Sequence, residues 1–428
     1  MQILLNLKKN MEINRSQYGY TSVNCQMCKK ETLQEVLNLG MQPHSDDFLE
    51  KERLSEVEFF FPLKLVSCTS CGLLQIDYFV NPEILYQVNY VYESSITKSG
   101  VQHYTDMAKS ISDRFKFPPS SRAIDIGSNV GVLLSGFKAC GFTVLGVDPA
   151  HTIAQKAIDN GIDTVIDFFS ESVAHTIVET KGTAKVITGT NVFAHLHDID
   201  SAMRGIQELL DKDGVFVIEA PYALDLIEKL EYDTIYHQHI GYVSVKPMAE
   251  YFKRFDMELF DVEFVPIHGG SLRYFVSHKG AHTVTDAINV YIQKEEVFGL
   301  YNPVRLKEFR DAVLAQRTEL LRILNTLKLD GKKIAGISAP AKGNTLLNFC
   351  GINQSYLDFT TEKSEYKKGK YTPGTHIPIL SDADLLSQDV EYALILAWNF
   401  SEEIMKNMEE YKNKGGKFII PVPRPTIK

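Results

Sequence analysis

The fold is decided by residues 121–137, SRAIDIGSNVGVLLSGF, which combine an apolar stretch, a turn that contains glycine and a second apolar stretch. This order predicts a strand that ends near Asp125, a turn at Gly127 and Gly131, and a helix that follows the turn. The next apolar stretch, FTVLGVDPA, brings Asp148 to the end of a second strand, where an acidic side chain can reach the hydroxyls of a ribose. Strands that alternate with helices predict a doubly wound, parallel α/β sheet of the Rossmann-like type.

The residues of this turn distinguish two classes of cofactor. A dinucleotide fold requires the pattern G-x-G-x-x-G, which lets a pyrophosphate lie on the N-terminus of the helix. Here Asn129 stands at the position of the middle glycine, and Asp125 precedes the turn. Asp125 would repel a pyrophosphate but attract the cationic end of a methionine moiety. The charge therefore favours S-adenosylmethionine over NAD, and the predicted contact residues are Asp125, Gly127, Asn129, Gly131 and Asp148.

The stretches that follow this unit support a methyltransferase. Further strands are predicted at residues 164–169, 184–193 and 214–221. The stretch MELFDVEFVPIHGGSLRYFVS then predicts two strands that are joined by a turn at Gly269 and Gly270. A sheet that ends in such a hairpin suits a class I S-adenosylmethionine methyltransferase, which is the fold class that we expect.

The cysteines predict a metal site. Cys25 and Cys28 form one C-x2-C pair, and Cys68 and Cys71 form another. Each pair directs two thiolates at one point, so that four thiolates can complete a tetrahedron around zinc. Because four thiolates close the coordination shell, we expect a structural zinc ion rather than a catalytic one. Disulfide or redox chemistry is the alternative, which a reducing compartment disfavours.

The length of the chain predicts several domains. A chain of 428 residues is too long for one ordinary hydrophobic core. We expect a zinc-binding domain at 1–85, a methyltransferase domain at 86–285, and a helical linker with a second Rossmann-like domain at 286–428.

Charge and hydropathy limit the partners. The net charge of −9 disfavours a nucleic-acid partner, since phosphate binding requires a basic surface. No apolar run is long enough for a membrane span. The N-terminal sequence MQILLNLKKN has its apolar residues before its lysines, which is the reverse of the order in a secretory signal. We therefore expect a soluble, cytoplasmic protein that is a monomer or a weak homo-oligomer.

The C-terminal part predicts the second, smaller Rossmann-like unit. Residues 332–349, KKIAGISAPAKGNTLLNF, have the pattern of a strand, a turn of small residues and a helix. The turn places Ser338, Lys342 and Asn344 near the start of the helix, where backbone N–H groups and one lysine can hold a phosphate. A turn with a solvated lysine is the alternative interpretation.

Several motifs follow one another in a fixed order along the chain. After the cysteine pairs come YVYESS (90–95), DIGSNVG, NVFAHL (191–196), YHQHIGYVS (236–244), HGGSLR (268–273), AKGNTLLNF (341–349) and GKYTPGTHIPI (369–379). This order, from about Cys25 to Pro423, resembles that of the sugar C-methyltransferase family.

The resemblance implies an architecture and a reaction. Enzymes of this family have a zinc-binding N-terminal domain, a methyltransferase domain and a Rossmann-like C-terminal domain. They methylate keto-deoxysugars that are attached to a nucleoside diphosphate, and dTDP-, GDP- and CDP-linked sugars are therefore candidate substrates here. The implied reaction removes the proton from the carbon beside the ketone and transfers the methyl group of S-adenosylmethionine to that carbon. It requires a base and a group that stabilises the enolate oxygen.

The strip YHQHIGYVS supplies candidates for these catalytic roles. In a helical turn, Tyr236 and His239 would share one face, and Gln238 and Tyr242 would share another. We expect His239 to act as the general base and Tyr236 to donate a hydrogen bond to the ketone oxygen. His237 would point elsewhere, and we expect a structural role for it.

Other positions are assigned by the resemblance alone. Tyr90, Tyr92 and His195 match active-site positions of the family. A histidine after an apolar strand is also commonly held by hydrogen bonds without a catalytic role, which is the alternative for His195. The shared motifs further assign Asn191 to the cofactor and His268 to the substrate.

One position departs from the family pattern. The strip of the family has the pattern Y-H-E-H, and Gln238 occupies the position of the glutamate. An amide retains the size of the carboxylate but cannot accept a proton or pair strongly with a cation.

Three hypotheses about function follow. The first is a methyltransferase whose base requires no carboxylate at position 238. The second is an enzyme that performs a different step through the same enolate, such as epimerisation. The third is a binding module whose zinc domain is a nucleic-acid or protein adaptor, and the acidic charge counts against it.

Overall fold

The computed structural model describes residues 17–86, 93–95, 98–267 and 269–428, and all statements below refer to these residues. Their strands form four sheets, which contain two, seven, four and six strands. Within the described ranges, no helix has both the length and the apolar character that a membrane span requires.

The N-terminal part is an antiparallel sheet. Its elements are β1 (Gly19–Thr21), β2 (Leu33–Pro43), a 3-10 helix (Lys51–Ser55), β3 (Phe60–Cys68), β4 (Leu74–Ile76), β5 (Tyr78–Val80) and α1 (Pro82–Tyr86). Strands β2, β3 and β4 pair in sequence, and β1 pairs with β5 in a separate ribbon. Leu37, Leu63 and Leu65 are fully buried, and they belong to a hydrophobic core that continues into the central and C-terminal parts of the chain.

The central part is a seven-stranded sheet between helices. Its strands are β6 (Arg122–Ile126), β7 (Thr143–Val147), β8 (Thr164–Val165), β9 (Ala184–Thr190), β10 (Leu210–Pro221), β12 (Met257–Val265) and β13 (Ser271–His278). Its helices are α2 (Lys98–Phe115), α3 (Val132–Ala139), α4 (His151–Asp159), α5 (Glu171–Lys181), α6 (Ile199–Leu209), α7 (Ala223–Glu228) and α8 (Val245–Phe252), with 3-10 helices at Phe193–His195, Tyr232–Thr234 and Lys253–Phe255.

The strand order of this sheet is β12-β13-β10-β9-β6-β7-β8. The pairs from β10 to β8 are parallel, whereas β13 is antiparallel to both of its neighbours. The reversed strand is the second strand of the hairpin that the sequence predicts. The order confirms the predicted α/β fold of a class I methyltransferase.

The C-terminal part begins with two helices and continues as a second α/β sheet. Its elements are α9 (Ala287–Phe298), α10 (Pro303–Leu329), β14 (Ile334–Ile337), α11 (Ala341–Cys350), β15 (Thr360–Thr361), β16 (Ile379–Leu380), α12 (Ala383–Ser387), β17 (Tyr392–Ile395), a 3-10 helix (Trp398–Phe400), α13 (Ser401–Asn407), α14 (Glu409–Asn413), β18 (Lys417–Ile420) and β19 (Thr426–Ile427). The sheet order is β16-β15-β14-β17-β18-β19, with β19 antiparallel to β18 and the other pairs parallel. The chain therefore contains two Rossmann-like sheets, as the sequence predicts.

Two predicted strands are too long, and one is too short. The strand predicted at 164–169 has two residues, and the strand predicted at 184–193 ends at Thr190. After Thr190 the chain turns through Asn191, which has a positive φ of 54° that no strand residue adopts. Strand β10 begins at Leu210, four residues before the predicted start at 214.

The four-stranded sheet takes its fourth strand from the central part of the chain. Strand β11 (Gly241–Tyr242) pairs with β4, so that Gly241 lies opposite Gln75 and Tyr242 opposite Leu74. Just before β11, the N–H of Ile240 donates to the carbonyl of Ala194 over 2.7 Å, and the carbonyl of Ile240 accepts the N–H of Ile76 over 2.9 Å. The strip 236–244 is therefore fixed between the zinc-binding part and the end of β9. 

Candidate functional site

The predicted metal ligands are gathered at one point. The sulfur atoms of Cys25, Cys28, Cys68 and Cys71 all lie within 4.8 Å of one another. The Sγ atoms of Cys25 and Cys71 are 3.5 Å apart, as are those of Cys28 and Cys68, which is too far for a disulfide bond. Zinc–sulfur bonds of about 2.3 Å in a tetrahedron place sulfur atoms slightly less than 4 Å apart, so the four thiols fit a zinc ion.

The glycine turn after β6 has the backbone that a cofactor loop requires. Gly127 and Gly131 have φ angles of 68° and 79°, which disfavour other residues. A Cβ atom on Gly127 would lie 2.5 Å from Cγ2 of Val192. Glycine at position 127 therefore allows the turn to pack against Val192 in the loop after β9, and the positive φ angles give the turn the shape that a cofactor loop requires.

Two carboxylates flank this turn, and both are buried. Oδ1 of Asp125 accepts the Thr188 hydroxyl over 2.6 Å, and burial raises the pKa of Asp125 to about 7. Asp148 follows β7, and its two oxygens accept the N–H groups of Asn129 and Ala150, each over 2.9 Å. Asp148 therefore holds the glycine turn against the end of β7, and this contact is one that the sequence did not reveal.

Asn129 and Asn191 lie in the loops after neighbouring strands of the sheet. Asn129 has a φ of 50°, and its Oδ1 accepts the N–H of Ser94 over 2.9 Å. The N–H of Asn191 donates to the carbonyl of Glu219 over 2.7 Å. Ser94, which belongs to the motif YVYESS, therefore lies beside the glycine turn.

Tyr236 and His239 contact each other. The hydroxyl of Tyr236 lies 2.9 Å from Nε2 of His239, and Nδ1 of His239 lies 2.8 Å from the carbonyl oxygen of Thr234. A carbonyl can only accept, so Nδ1 carries the proton and Nε2 of the neutral ring holds a lone pair. The Tyr236 hydroxyl consequently donates to Nε2.

The strip forms a single turn rather than a helical segment. The N–H of His239 donates to the carbonyl of Tyr236 over 2.9 Å, and the chain then becomes extended. Tyr242 lies in β11, so the predicted shared face of Gln238 and Tyr242 is wrong. The pairing of Ile240 described above draws the chain into the sheet before a helix can continue.

His195 adjoins this pair. Its ring lies 4.9 Å from the ring of His239, in an edge-to-face orientation. Burial, together with the neighbouring imidazole of His239, holds the pKa of His195 well below its usual value. Nδ1 of His195 lies 3.0 Å from the hydroxyl of Tyr86, which also reaches the carbonyl oxygen of Gln238 over 3.3 Å.

Sequence reasoning missed Tyr86. This tyrosine ends helix α1, four residues before the motif YVYESS, and burial raises its pKa. Its position beside that motif was the one feature of the sequence that could have indicated a place for Tyr86 near the site. Tyr90, Tyr92 and His268, which the sequence analysis assigns to the active site, lie outside the described residues.

Gln238 is enclosed by the loop that follows β2. Its Oε1 accepts the Ser45 hydroxyl over 3.1 Å, and its Nε2 lies 2.8 Å from Nε2 of His44 and 3.2 Å from Oδ2 of Asp46. Gln238 is 2% exposed. The segment 44–46 was absent from the predicted site, and no motif in the sequence marks it.

The predicted phosphate-binding residues diverge in their contacts. Ser338 has a φ of 70°, and its carbonyl accepts the Thr360 hydroxyl over 2.8 Å. The buried side chain of Asn344 donates to the carbonyl of Ser45 over 2.7 Å, which joins α11 to the loop that encloses Gln238. Asn344 therefore connects two parts of the protein in addition to any contact with a ligand.

Lys342 lies among acidic and aromatic side chains. Its Nζ is 4.1 Å from the centre of the Trp398 ring and donates to the side chain of Asn399. Burial lowers the pKa of Lys342, whereas Asp233 and Glu231 act in the opposite direction. Burial raises the pKa of Glu231 to about 7 and that of Asp233 to about 6. Lys342 is thus held by a buried polar cluster rather than by solvent.

Comparison with known proteins identifies each part of the chain. Three family models match in sequence: a zinc binding domain over residues 25–86, a methyltransferase domain over residues 101–262, and a C-methyltransferase C-terminal domain over residues 266–423. The chain is 32% identical to the C-methyltransferase NovU from Streptomyces niveus over 404 residues, which cover 94% of this chain and 96% of NovU. Together with the cysteine cluster, these matches confirm the predicted cofactors, S-adenosylmethionine and zinc.

Solved methyltransferase structures are similar at low identity. An S-adenosylmethionine-dependent methyltransferase from Clostridium acetobutylicum is 10% identical, with a TM-score of 0.34 over 42% of this chain and 92% of its own. Magnesium protoporphyrin IX methyltransferase from Synechocystis, with bound SAH, is also 10% identical, with a TM-score of 0.34 over 44% of this chain and 90% of its own. At these scores the assignment of the fold rests on the strand order and the family models.

Loss of the metal is expected to unfold the N-terminal sheet. Cys68→Ser should lower the thermal unfolding midpoint and the zinc content, because Cys68 ends β3 and the cluster closes the turn toward β4. Calorimetry should show that S-adenosylmethionine still binds, since the glycine turn lies on another sheet. Cys140→Ser is the matched control, because Cys140 is exposed and outside the cluster. A protein that is stable and free of metal as purified would contradict the zinc assignment.

His237 is expected to make stability depend on pH. Its Nε2 donates to the carbonyl of Pro62 over 3.1 Å, and burial lowers its pKa to about 4. Below about pH 6.5 the imidazole of His237 binds a proton in the unfolded chain but not in the folded one. The free energy of unfolding should therefore fall by roughly 3 kcal/mol between pH 6.5 and pH 4. In urea unfolding across this range, His237→Gln should remove that part of the slope, whereas the exposed His151→Gln should retain it. Parallel slopes for all three proteins would rule out the buried neutral imidazole.

Proposed function

The chain belongs to the C-methyltransferase family, and we propose that it methylates the carbon atom beside the ketone of a nucleoside-diphosphate-linked keto-deoxysugar. The observation that carries this proposal is a pair of hydrogen bonds at the end of the methyltransferase sheet. They join the ring of His239 to the hydroxyl of Tyr236 on one side and to the carbonyl of Thr234 on the other. They place a phenol and a basic imidazole nitrogen side by side. Enolate chemistry at a ketone requires this combination of a proton donor and a base.

S-adenosylmethionine, when bound, supplies an electrophilic methyl group. Asp125, Gly127, Asn129, Gly131, Asp148 and Asn191 are the residues that would hold it. Asp148 keeps the turn in place through its contacts with Asn129 and Ala150. The buried carboxylate of Asp125 would favour a cation nearby, because a positive charge offsets the cost of its ionisation.

His239 is the proposed base. The Thr234 carbonyl accepts the Nδ1 proton, which leaves Nε2 as the nitrogen that can take up a proton. In the free protein the Tyr236 hydroxyl occupies Nε2. A ketone oxygen that accepts the Tyr236 hydroxyl would free Nε2 to remove the proton from the neighbouring carbon. The phenol would then stabilise the enolate oxygen, and the Thr234 carbonyl would stabilise the imidazolium ion.

His195 and Tyr86 support this arrangement. Because the pKa of His195 is far below its usual value, His195 is neutral near pH 7 and does not oppose proton uptake by His239. The Tyr86 hydroxyl joins His195 to the carbonyl of Gln238. We propose that Tyr86 orients the His195 ring, and that Tyr90 and Tyr92 of the adjacent motif contribute to the same pocket.

We further propose that the C-terminal part binds the nucleotide of the substrate. Ser338, Lys342 and Asn344 surround the start of α11, where N–H groups and a lysine suit a diphosphate. The retention of Lys342 within a buried cluster supports a role beyond solubility. We propose that the domains of the chain meet at residues 85/86 and 285/286. We also propose that His268 contacts the substrate.

The proposal is tested by product analysis. Purified protein is incubated with dTDP-, GDP- and CDP-linked 4-keto-6-deoxysugars, with and without S-adenosylmethionine. We expect a mass gain of one methylene unit, about 14 Da, with the new methyl group bonded to carbon by NMR. An unchanged mass with an inverted stereocentre would instead establish epimerisation. Neither change with any of the three nucleotides would refute the proposed substrate class.

Substitution of the base is expected to separate binding from chemistry. His239→Asn should reduce turnover below detection while calorimetry shows unchanged affinity for S-adenosylmethionine. Tyr236→Phe should cost on the order of 10²–10³ in kcat, as removal of one oxyanion donor does. His175→Asn, which alters an exposed histidine of α5, serves as the control. Full turnover in His239→Asn would move the role of base to another histidine.

A further inference from the structure

The second Rossmann-like sheet has a crevice at the edge where its parallel strands end. Strand β14 pairs with β15 on one side and with β17 on the other, so later strands are added on opposite sides of β14. Ligands of open α/β sheets bind at such a reversal of the strand order. Lys342 follows β14, whereas Trp398 and Asn399 follow β17. Nζ of Lys342 lies 4.1 Å from the centre of the Trp398 ring and donates to the Asn399 side chain, so the three side chains meet in the crevice.

Asp233, from the central part of the chain, reaches this group. The indole N–H of Trp398 donates to Oδ2 of Asp233 over 2.6 Å, which is short for a hydrogen bond to a carboxylate. Asp233 is fully buried. Burial raises the pKa of Asp233 to about 6, and the charge of Lys342 limits this rise. The carboxylate of Asp233 is therefore held by two side chains of the C-terminal part, through a hydrogen bond from one and the charge of the other.

The 3-10 helix Tyr232–Thr234, which contains Asp233, is fixed to the C-terminal part at a second point. The Tyr232 hydroxyl donates to Oε1 of Gln316 over 2.9 Å, and Nε2 of Gln316 donates to the carbonyl of Pro421 over 2.6 Å. Two successive side chains of this short helix thus end on the C-terminal part, and together they fix its position.

Thr234 ends this 3-10 helix and connects it to the proposed base. Its carbonyl accepts the Nδ1 proton of His239 over 2.8 Å. We propose that Asp233 and Trp398 are positioning residues of the proposed methyl transfer, on which this inference rests. Their hydrogen bond holds the 3-10 helix in place, so that the Thr234 carbonyl meets the imidazole. They act on the reacting atoms only through Thr234 and His239.

The same two residues connect the base to the nucleotide of the substrate. A diphosphate at the start of α11 attracts the ammonium group of Lys342, which lies over the face of the Trp398 ring. Trp398 is partly exposed, so a ligand can reach the ring. The indole therefore faces the nucleoside diphosphate with its ring and supports the proposed base with its N–H group.

Fluorescence tests this connection without turnover, because Trp398 is the single tryptophan of the chain. Wild-type protein is titrated with dTDP, GDP and CDP. We expect at least one of them to change the emission until the site is saturated, whereas thymidine, which lacks the diphosphate, should leave it unchanged. Lys342→Met should abolish the change, and Lys412→Met, which alters an exposed lysine of α14, is the matched control. An emission that none of the three diphosphates alters would overturn the nucleotide crevice.

Kinetics test the positioning role. Trp398→Phe retains an aromatic ring for Lys342 but removes the N–H group, so kcat should fall by about tenfold or more with little change in KM. Asp233→Ala should have a similar effect. The double variant should be no slower than the slower single variant, because both substitutions remove the same hydrogen bond. Phe400→Leu is the control, since it alters an exposed aromatic residue of the same 3-10 helix.

Asp233→Asn keeps the test decisive if Asp233→Ala does not fold. It retains an acceptor for the indole N–H, so its kcat should stay within about threefold of the wild-type value. An Asp233→Asn variant as slow as Trp398→Phe, or losses that multiply in the double variant, would overturn the role of this hydrogen bond.

The two proposals fail in different ways. Wild-type protein that methylates no keto-sugar nucleotide would refute the proposed function, and the fluorescence titration would then still decide whether the crevice binds a nucleoside diphosphate. Wild-type turnover together with an unchanged kcat in Trp398→Phe would overturn the positioning role alone.

Discussion

The arrangement of the site depends on the backbone of Ile240, which is hydrogen-bonded on both sides. Its N–H reaches the carbonyl of Ala194 after β9, and its carbonyl accepts the N–H of Ile76 in β4. A backbone with both groups paired in a buried position cannot shift without the loss of at least one hydrogen bond. His239 precedes this residue directly, so the imidazole is positioned by the zinc-binding sheet and by the methyltransferase sheet at once. The sheet that the four cysteines anchor therefore helps to position His239, which is the proposed base.

The electrostatics of the site follow from the same enclosure. Burial lowers the pKa of His44, His195 and His237. It raises the pKa of Asp125 and Asp233. Each group is thereby shifted toward its neutral form, and the interior of the site has few fixed charges. In such surroundings a buried charge has a strong effect on its neighbours, because water screens it weakly.

The sequence predicted those features that depend on neighbours along the chain. The glycine turn, the cysteine pairs and the contact of Tyr236 with His239 each arise within a few residues of one another. The contacts that it did not reveal join distant segments: Gln238 meets residues 44–46, and Asn344 meets Ser45. No local pattern encodes such pairs, because they result from the packing of three sheets. The lengths of the short strands were also overestimated, since a positive φ at Asn191 ends β9 where hydropathy alone would continue it.

The pairing of β11 with β4 has a consequence for the way in which the protein is made. The four cysteines are synthesised before the central part of the chain. The sheet that they anchor lacks its fourth strand until residues 241 and 242 have been synthesised. More than 160 residues separate the two paired strands, so one edge of the early sheet stays open while those residues are synthesised. Metal uptake can precede this closure, whereas the hydrogen bond of Ile240 to β4 cannot form until the strip 236–244 has been synthesised. The nascent chain can therefore hold its metal before the strip 236–244 is fixed between the two sheets.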